Sequence, residues 1–519
     1  KNGSYTYELL TASELDEESN RLARGLQEYG IGEGVRTVLM VTPGVAFFTL
    51  TFALFKAGAV PVMVDPGMGV KKLKKCFAEA SPEGFVGIAK AHAARVILGW
   101  ARGSIRKNVT VGPRLFWGGR SFAGIRSGDP SPVLAETAPD ALAAILFTSG
   151  STGIPKGVVY THEMFQAQVC VLRDFYGIGP GERDLATFPL FALFGPALGM
   201  AAIVPRMDAS RPITADPRNL VAATMDHSAT NFFASPALIE VIGRHGADRD
   251  LKLDSLKRVI SAGAPATAES LHRFTQLLPD GVEIYPSYGA TEALPVASIG
   301  SNELLNDTAA LTEEGAGVCV GRAAGGLRIR IIGIDDGPIG DWSEDLNIPD
   351  GEIGEICVSG QVVSPVYYER PESTALAKII DWDSGLLYHR MGDVGYLDAE
   401  GRLWFCGRKA HRVETADKTY FTIPCERIFN THAEVFRSAL VGVFLGGHLA
   451  PAICVERETS HSDGDENGLK EELRALADDH AITRGIETFL FHKGFPMDVR
   501  HNAKIFREQL AVWVQEQLP

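Results

Sequence analysis

Cysteine is sparse in these 519 residues: seven, odd in number and scattered singly. With no C-x-x-C pair and no metal-ligand spacing, a disulfide scaffold is excluded and reduced, mostly buried thiols are expected. Basic charge is short as well. Fifty Lys plus Arg against 64 Asp plus Glu leave a net charge of −14, which offers no global attraction to nucleic acid or to an anionic membrane. A local cluster of donors can still hold phosphates whatever the net charge. No uninterrupted membrane span is present. The uncharged run Leu185–Pro205, LATFPLFALFGPALGMAAIVP, is long enough to cross a bilayer, but Pro189, Gly195 and Pro196 interrupt it, so short strand, loop and helix pieces are expected instead. No basic leader with a short apolar run follows Lys1, and a cytoplasmic protein is expected, although a start other than Met leaves processing open.

What is there is an ordinary globular composition, 45% apolar and 22% charged, in a chain too long for one core. The run EESNRLARGLQEYG (17–30) has helical spacing and ends in glycine, and TVLMV (37–41) is strand-prone. Helix-then-strand alternation repeats through residues 46–64 and 71–89. The fold class expected is α/β with largely parallel sheets. The lysines of VKKLKKCF (Lys71, Lys72, Lys74, Lys75) read as a solvated helix face. From about 315 to 410 the texture turns to short β-rich runs punctuated by Gly, Pro and Asp, which reads as a separate β-rich subdomain. A boundary near Lys409–His411 divides a large N-terminal domain, 1–410, from a small α+β C-terminal domain, 411–519.

The apolar run 143–147 feeds directly into Thr148-Ser149-Gly150-Ser151-Thr152-Gly153-Ile154-Pro155-Lys156-Gly157. Glycines let a backbone approach a ligand closely, hydroxyls and amides donate to phosphate oxygens, and Lys156 adds positive charge. Pro155 stands where a P-loop needs its second glycine, so a P-loop NTPase is not supported. A flexible Ser/Gly linker fits poorly, because linkers seldom follow a buried strand and end in Pro-Lys-Gly.

TSGSTGIPKG resembles the signature loop of the adenylate-forming superfamily of acyl-CoA synthetases, luciferases and peptide-synthetase adenylation domains. The remaining motifs of that superfamily follow in order over nearly the whole chain. Ser261 to Pro265, with Gly263, Ala264 and Pro265, and Tyr288-Gly289-Ala290-Thr291-Glu292 resemble the segments that sandwich adenine. The resemblance implies that Tyr288 stacks on the base, Thr291 meets the α-phosphate, and Glu292 holds Mg²⁺ between phosphate oxygens, with ATP as co-substrate. Asp393 of RMGD matches the ribose-binding aspartate, and Gly407-Arg408 opens the hinge motif, with Arg408 directed to ribose or phosphate. In PMDVRHNAKIFR (496–507), Lys504 occupies the catalytic lysine position, bridging carboxylate and α-phosphate. The implied fold is a large N-terminal domain with a small mobile C-terminal lid.

The chain also departs from that pattern. His411 stands at the hinge position, no glycine occurs between Gly407 and Gly442, where thioester-forming members generally need one for the pantetheine arm, and Ala503 precedes Lys504 in place of glycine. The blocks FPLFALFGPALGM, YGATEALPV, HRMGDVGY and FCGRKAHRVET resemble the β-lactone synthetases of bacterial long-chain olefin biosynthesis. That resemblance implies adenylation of a 2-alkyl-3-hydroxy fatty acid, whose own hydroxyl then displaces AMP and closes a four-membered ring without CoA. Other enzymes of the olefin pathway are implied partners. The uncharged segment with Phe191 and Phe194 reads equally as a wall of the alkyl pocket and as ordinary core, and His411 and His501 are candidates for the base that takes the hydroxyl proton. An acyl-CoA or acyl-AMP ligase and a non-catalytic nucleotide-binding homologue stay open as alternatives.

Overall fold

The computed structural model describes residues 5–148, 155–247, 249–458, 465–497 and 505–518. The expected alternation is present from the start. Helix Ala12–Glu28 begins earlier than the apolar spacing suggests, because Thr11 and Glu14 form a reciprocal capping box that satisfies its first amides. It buries Leu22, Ala23 and Leu26 and packs against the apolar helix Val45–Lys56. Strand Arg36–Met40 follows, parallel to Val60–Met63 on one side and to Gly84–Ile88 on the other. Helix Val70–Ala80 turns Leu73, Cys76, Phe77 and Ala80 inward and leaves its four lysines exposed.

These elements build a seven-stranded sheet that is parallel except for its last pair, Leu142–Phe147 against Gly157–Thr161. A second sheet of twelve strands begins with a parallel half, including Asn231–Ala234, Arg258–Ala262 and Ile284–Ala290. It reverses direction at the hairpin between Ile284–Ala290 and Ala293–Ser298 and continues antiparallel through the β-rich stretch. That stretch therefore adds strands to an existing sheet, joined to it by the pairing of Ala297 with Ala323. The Leu185–Pro205 run folds as strand Arg183–Ala186, the short helices Pro189–Ala192 and Phe194–Ala197, and strand Ala201–Ile203. Among the described residues no helix is long and apolar enough to cross a membrane.

Beyond Arg408 a single 3₁₀ turn, Lys409–His411, leads into the C-terminal unit. There a three-stranded sheet packs one face on helices Thr422–Phe429 and Glu466–Asp479 around Phe429, Leu440, Ile453 and Leu473, and the other on helix Arg507–Gln517 around Ala439, Val441, Leu510 and Val514.

Candidate active site

The site is assembled where strands end. Thr148 leaves strand Leu142–Phe147 and Lys156 enters the next, and the Thr148 amide donates to the Lys156 carbonyl at 3.0 Å, holding these two residues together. Ser149, Gly150, Ser151, Thr152 and Gly153 lie outside the described residues, as do His501 and Lys504. Lys156 sends its amine over the Tyr367 ring, 4.8 Å from the centroid, a cation–π contact. Burial holds that amine below the usual lysine range, and the charge of Glu292 opposes the shift.

Thr291 and Glu292 form the two-residue turn of the hairpin, since Ala290 and Ala293 face each other across it. A Cβ on Gly289 would approach the Ala293 carbonyl to 2.9 Å, so glycine there is a packing requirement. Both turn carbonyls are held from outside: Tyr160 Oη donates to Thr291 O at 2.6 Å, and the Ser364 amide to Glu292 O at 2.8 Å. The Glu292 carboxylate accepts from Tyr367 Oη at 2.7 Å through Oε1. Tyr367, Tyr160 and Ser364 belong to no motif in the sequence, yet they fix the turn.

A second cluster sits beside it. Asp393 and Arg408 are opposite each other in the antiparallel pair Leu386–Leu397 and Leu403–Arg408, and the guanidinium lies 2.9 Å from Oδ1. Tyr288 Oη donates to Asp393 Oδ2 at 2.7 Å. Burial raises the Asp393 carboxyl, with Arg408 and Tyr288 pulling it back, while burial followed by the Asp393 charge keeps the Tyr288 phenol far from ionising. Gly392, at φ +65°, supplies the left-handed step that precedes Asp393.

Thr148, Lys156, Gly263, Tyr288, Gly289, Thr291, Glu292 and Arg408 line one cavity of about 2050 Å³. Asp393 adjoins it through Tyr288 and Arg408. Ala264 and Pro265 follow Gly263 on the segment leaving strand Arg258–Ala262 and do not form its wall. His411 is placed differently from the rest. Its Nε2 lies 3.1 Å from Glu508 on the C-terminal helix, the side chain is 8% exposed, and it does not line the cavity. Burial and then the Arg507 charge hold its imidazole below the usual range, with Glu508 opposing, so it is neutral at neutral pH. Lys409 turns the other way and ties the hinge to the N-terminal body through Glu355 Oε2 at 3.1 Å, beside the buried Arg390–Glu355 pair at 2.7 Å.

The apolar remainder of the cavity explains the uncharged run, because Phe188, Phe191 and Phe194 stand in its wall with Phe233 and Phe165. The cavity also reaches around the C-terminal end of the seven-stranded sheet. Leu39 and Met63 pack on one face, their neighbours Met40 and Val64 on the other, and all four line the cavity. Beside the Thr291–Glu292 turn, buried Lys378 donates to the Ser364 carbonyl, and burial pushes its amine down to about 7 against the charge of Glu292.

The geometry is that of a polar pocket of Lys156, Thr291, Glu292 and Arg408 opening into an apolar one. The AMP-binding enzyme family matches residues 3–368. An olefin β-lactone synthetase of Stenotrophomonas maltophilia is 49% identical over 523 residues, covering 100% of this chain and 93% of that protein. Another, of Xanthomonas campestris pv. campestris, is 48% identical over 522 residues, covering 99% and 93%. The solved structure of the amide bond synthetase McbA from Marinactinospora thermotolerans shares the fold, with a TM-score of 0.78 at 23% identity over 97% of this chain and 95% of that one. The chain is a member of the AMP-binding enzyme family, adenylate-forming in fold and in the order of its motifs.

Proposed function

We propose that this enzyme activates a 2-alkyl-3-hydroxy long-chain fatty acid with ATP and closes it to a β-lactone. The observation that carries the reading is the junction of two environments in one cavity: the Thr291–Glu292 turn with Lys156 and Arg408, and an apolar wall lying on both faces of a sheet. An acid with two alkyl chains fits such a space, each chain taking apolar surface while the carboxylate stays at the polar turn. The names of the relatives at 48–49% identity support the same chemistry.

In the first step a carboxylate oxygen of the acid attacks the α-phosphorus, the bond to the bridging oxygen breaks, and pyrophosphate leaves. Lys156, Arg408 and, by its motif position, Lys504 are the cations assigned to the charge that grows on the phosphate oxygens. In the second step the 3-hydroxyl oxygen attacks the acyl carbon, its proton is lost, and AMP departs with the former carboxylate oxygen. Holding the hydroxyl against the activated carbonyl supplies the proximity that offsets ring strain.

Glu292 suits Mg²⁺, being a hard carboxylate on the cavity wall. Among the described residues no cluster of three His, Cys, Asp or Glu exists to cage an ion, so phosphate oxygens would complete its coordination. Bound there, the ion would neutralise phosphate charge.

Ala416-Asp417-Lys418 stands where thioester-forming relatives generally carry a glycine, which argues against a thioester route. Residues 416–418 close the hairpin between Val413–Glu414 and Thr419–Tyr420, and Lys418 Nζ is tied to Ala481 O at 2.5 Å. The test is AMP release from ATP and a 2-alkyl-3-hydroxy acid with no CoA present. Sustained turnover is expected; one equivalent of AMP-ester per enzyme followed by arrest would contradict it.

A further inference from the structure

Helix His162–Tyr176 presents Phe165, Val169 and Leu172 to the cavity, and between them stands Gln168, also in the wall and 0% exposed. Its Nε2 donates to the Leu294 carbonyl at 3.1 Å, just past the Thr291–Glu292 turn. A carbonyl can only accept, so the amide cannot be flipped, and it is Oε1 that has no partner among the described residues. Tyr160, on the strand that leads into this helix, holds Thr291 O with its hydroxyl. An acceptor with nothing to accept from thus stands one side chain away from the turn where the acid is activated. Leaving such a group buried and unsatisfied is unfavourable, and a plain acyl chain has no proton to offer it.

We propose that Gln168 Oε1 accepts a hydrogen bond from the 3-hydroxyl of the bound acid, which makes Gln168 the residue that separates a 3-hydroxy acid from its 3-deoxy counterpart. This rests on the function proposed above. Gln168 acts by position: with its proton held by Oε1, the hydroxyl turns a lone pair toward the acyl carbon, and the carboxamide itself takes no proton. A site that hydrogen-bonds a substrate hydroxyl rejects the analogue lacking it, because the buried partner is left unpaired.

The test pairs two acids of identical chains, one with and one without the 3-hydroxyl, and reads first-turnover pyrophosphate release against acid concentration, which both can support and whose initial slope gives kcat/KM for adenylation. For the natural enzyme kcat/KM should favour the 3-hydroxy acid by roughly 5- to 150-fold. In Gln168→Leu that ratio should collapse toward one, chiefly by loss on the hydroxy acid. Gln168→Met, closer in shape, serves if the leucine variant does not fold. A ratio near one in the natural enzyme overturns the proposal before any variant is made. An unchanged ratio in the variant, or parallel losses on both acids, overturns it too and makes Gln168 a support for the hairpin. Lactone formation by the natural enzyme, assayed alongside, separates failure of this inference from failure of the proposed function.

Discussion

Tyr367→Phe isolates one hydrogen bond at the centre of the site. The substitution removes the hydroxyl that reaches Glu292 Oε1 at 2.7 Å and keeps the ring beneath the Lys156 amine at 4.8 Å. A hydrogen bond to a charged group contributes about 1.5–3 kcal/mol, so if Glu292 must be held for phosphoryl transfer, kcat/KM for pyrophosphate release falls roughly 10- to 150-fold. The fold should tolerate the change, since the ring stays and the Glu292 turn keeps its backbone contacts to Tyr160 and Ser364. Tyr367→Ala also removes the cation–π contact, about 0.5–2 kcal/mol, and should cost more. The assay is pyrophosphate release at varied ATP, with thermal melting run in parallel. A phenylalanine variant within twofold of the natural rate and equally stable would refute the claim that Tyr367 positions Glu292.

Three further outcomes are expected, the first from motif position and the others from the geometry. Lys504→Ala should abolish adenylation with the fold intact, and near-normal pyrophosphate release would reject the motif assignment. His411→Ala should preserve pyrophosphate release and lower lactone yield if the neutral imidazole serves ring closure; equal loss of both would make its bond to Glu508 a support for the hinge instead. For Lys378 the folded amine titrates at about 7, below its unfolded range near 10.4, so between those values the unfolded chain binds the extra proton and stability rises with pH. Denaturant titrations of Lys378→Met against the natural protein should show that rise, up to a few kcal/mol, in the natural chain and its loss in the variant.

Part of the cavity lining was legible because its residues lie close in sequence: Thr148 and Lys156 belong to one motif, and Tyr288, Gly289, Thr291 and Glu292 sit together in YGATE. The helix–strand alternation was legible through spacing, and the break-up of the Leu185–Pro205 run through its prolines. The supports were not. Tyr367 lies 75 residues from Glu292, Gln168 lies 126 from Leu294, and Glu508 lies 97 from His411, distances across which local pattern carries no signal. The β-rich texture after residue 315 was visible, but whether its strands form their own sheet depends on one pairing, Ala297 with Ala323, that spacing cannot reveal. Lys378 looks like any surface lysine until the fold buries it under the Ser364 carbonyl.

In the proposed reaction an internal hydroxyl replaces an external thiol as nucleophile, and the mass of the organic product decides between them. Incubated with ATP, Mg²⁺ and a 2-alkyl-3-hydroxy fatty acid, without CoA, the enzyme should yield a neutral species of the acid minus one water, together with AMP and pyrophosphate. Accumulation of the acyl-AMP alone, with a thioester appearing once CoA is added, would contradict it.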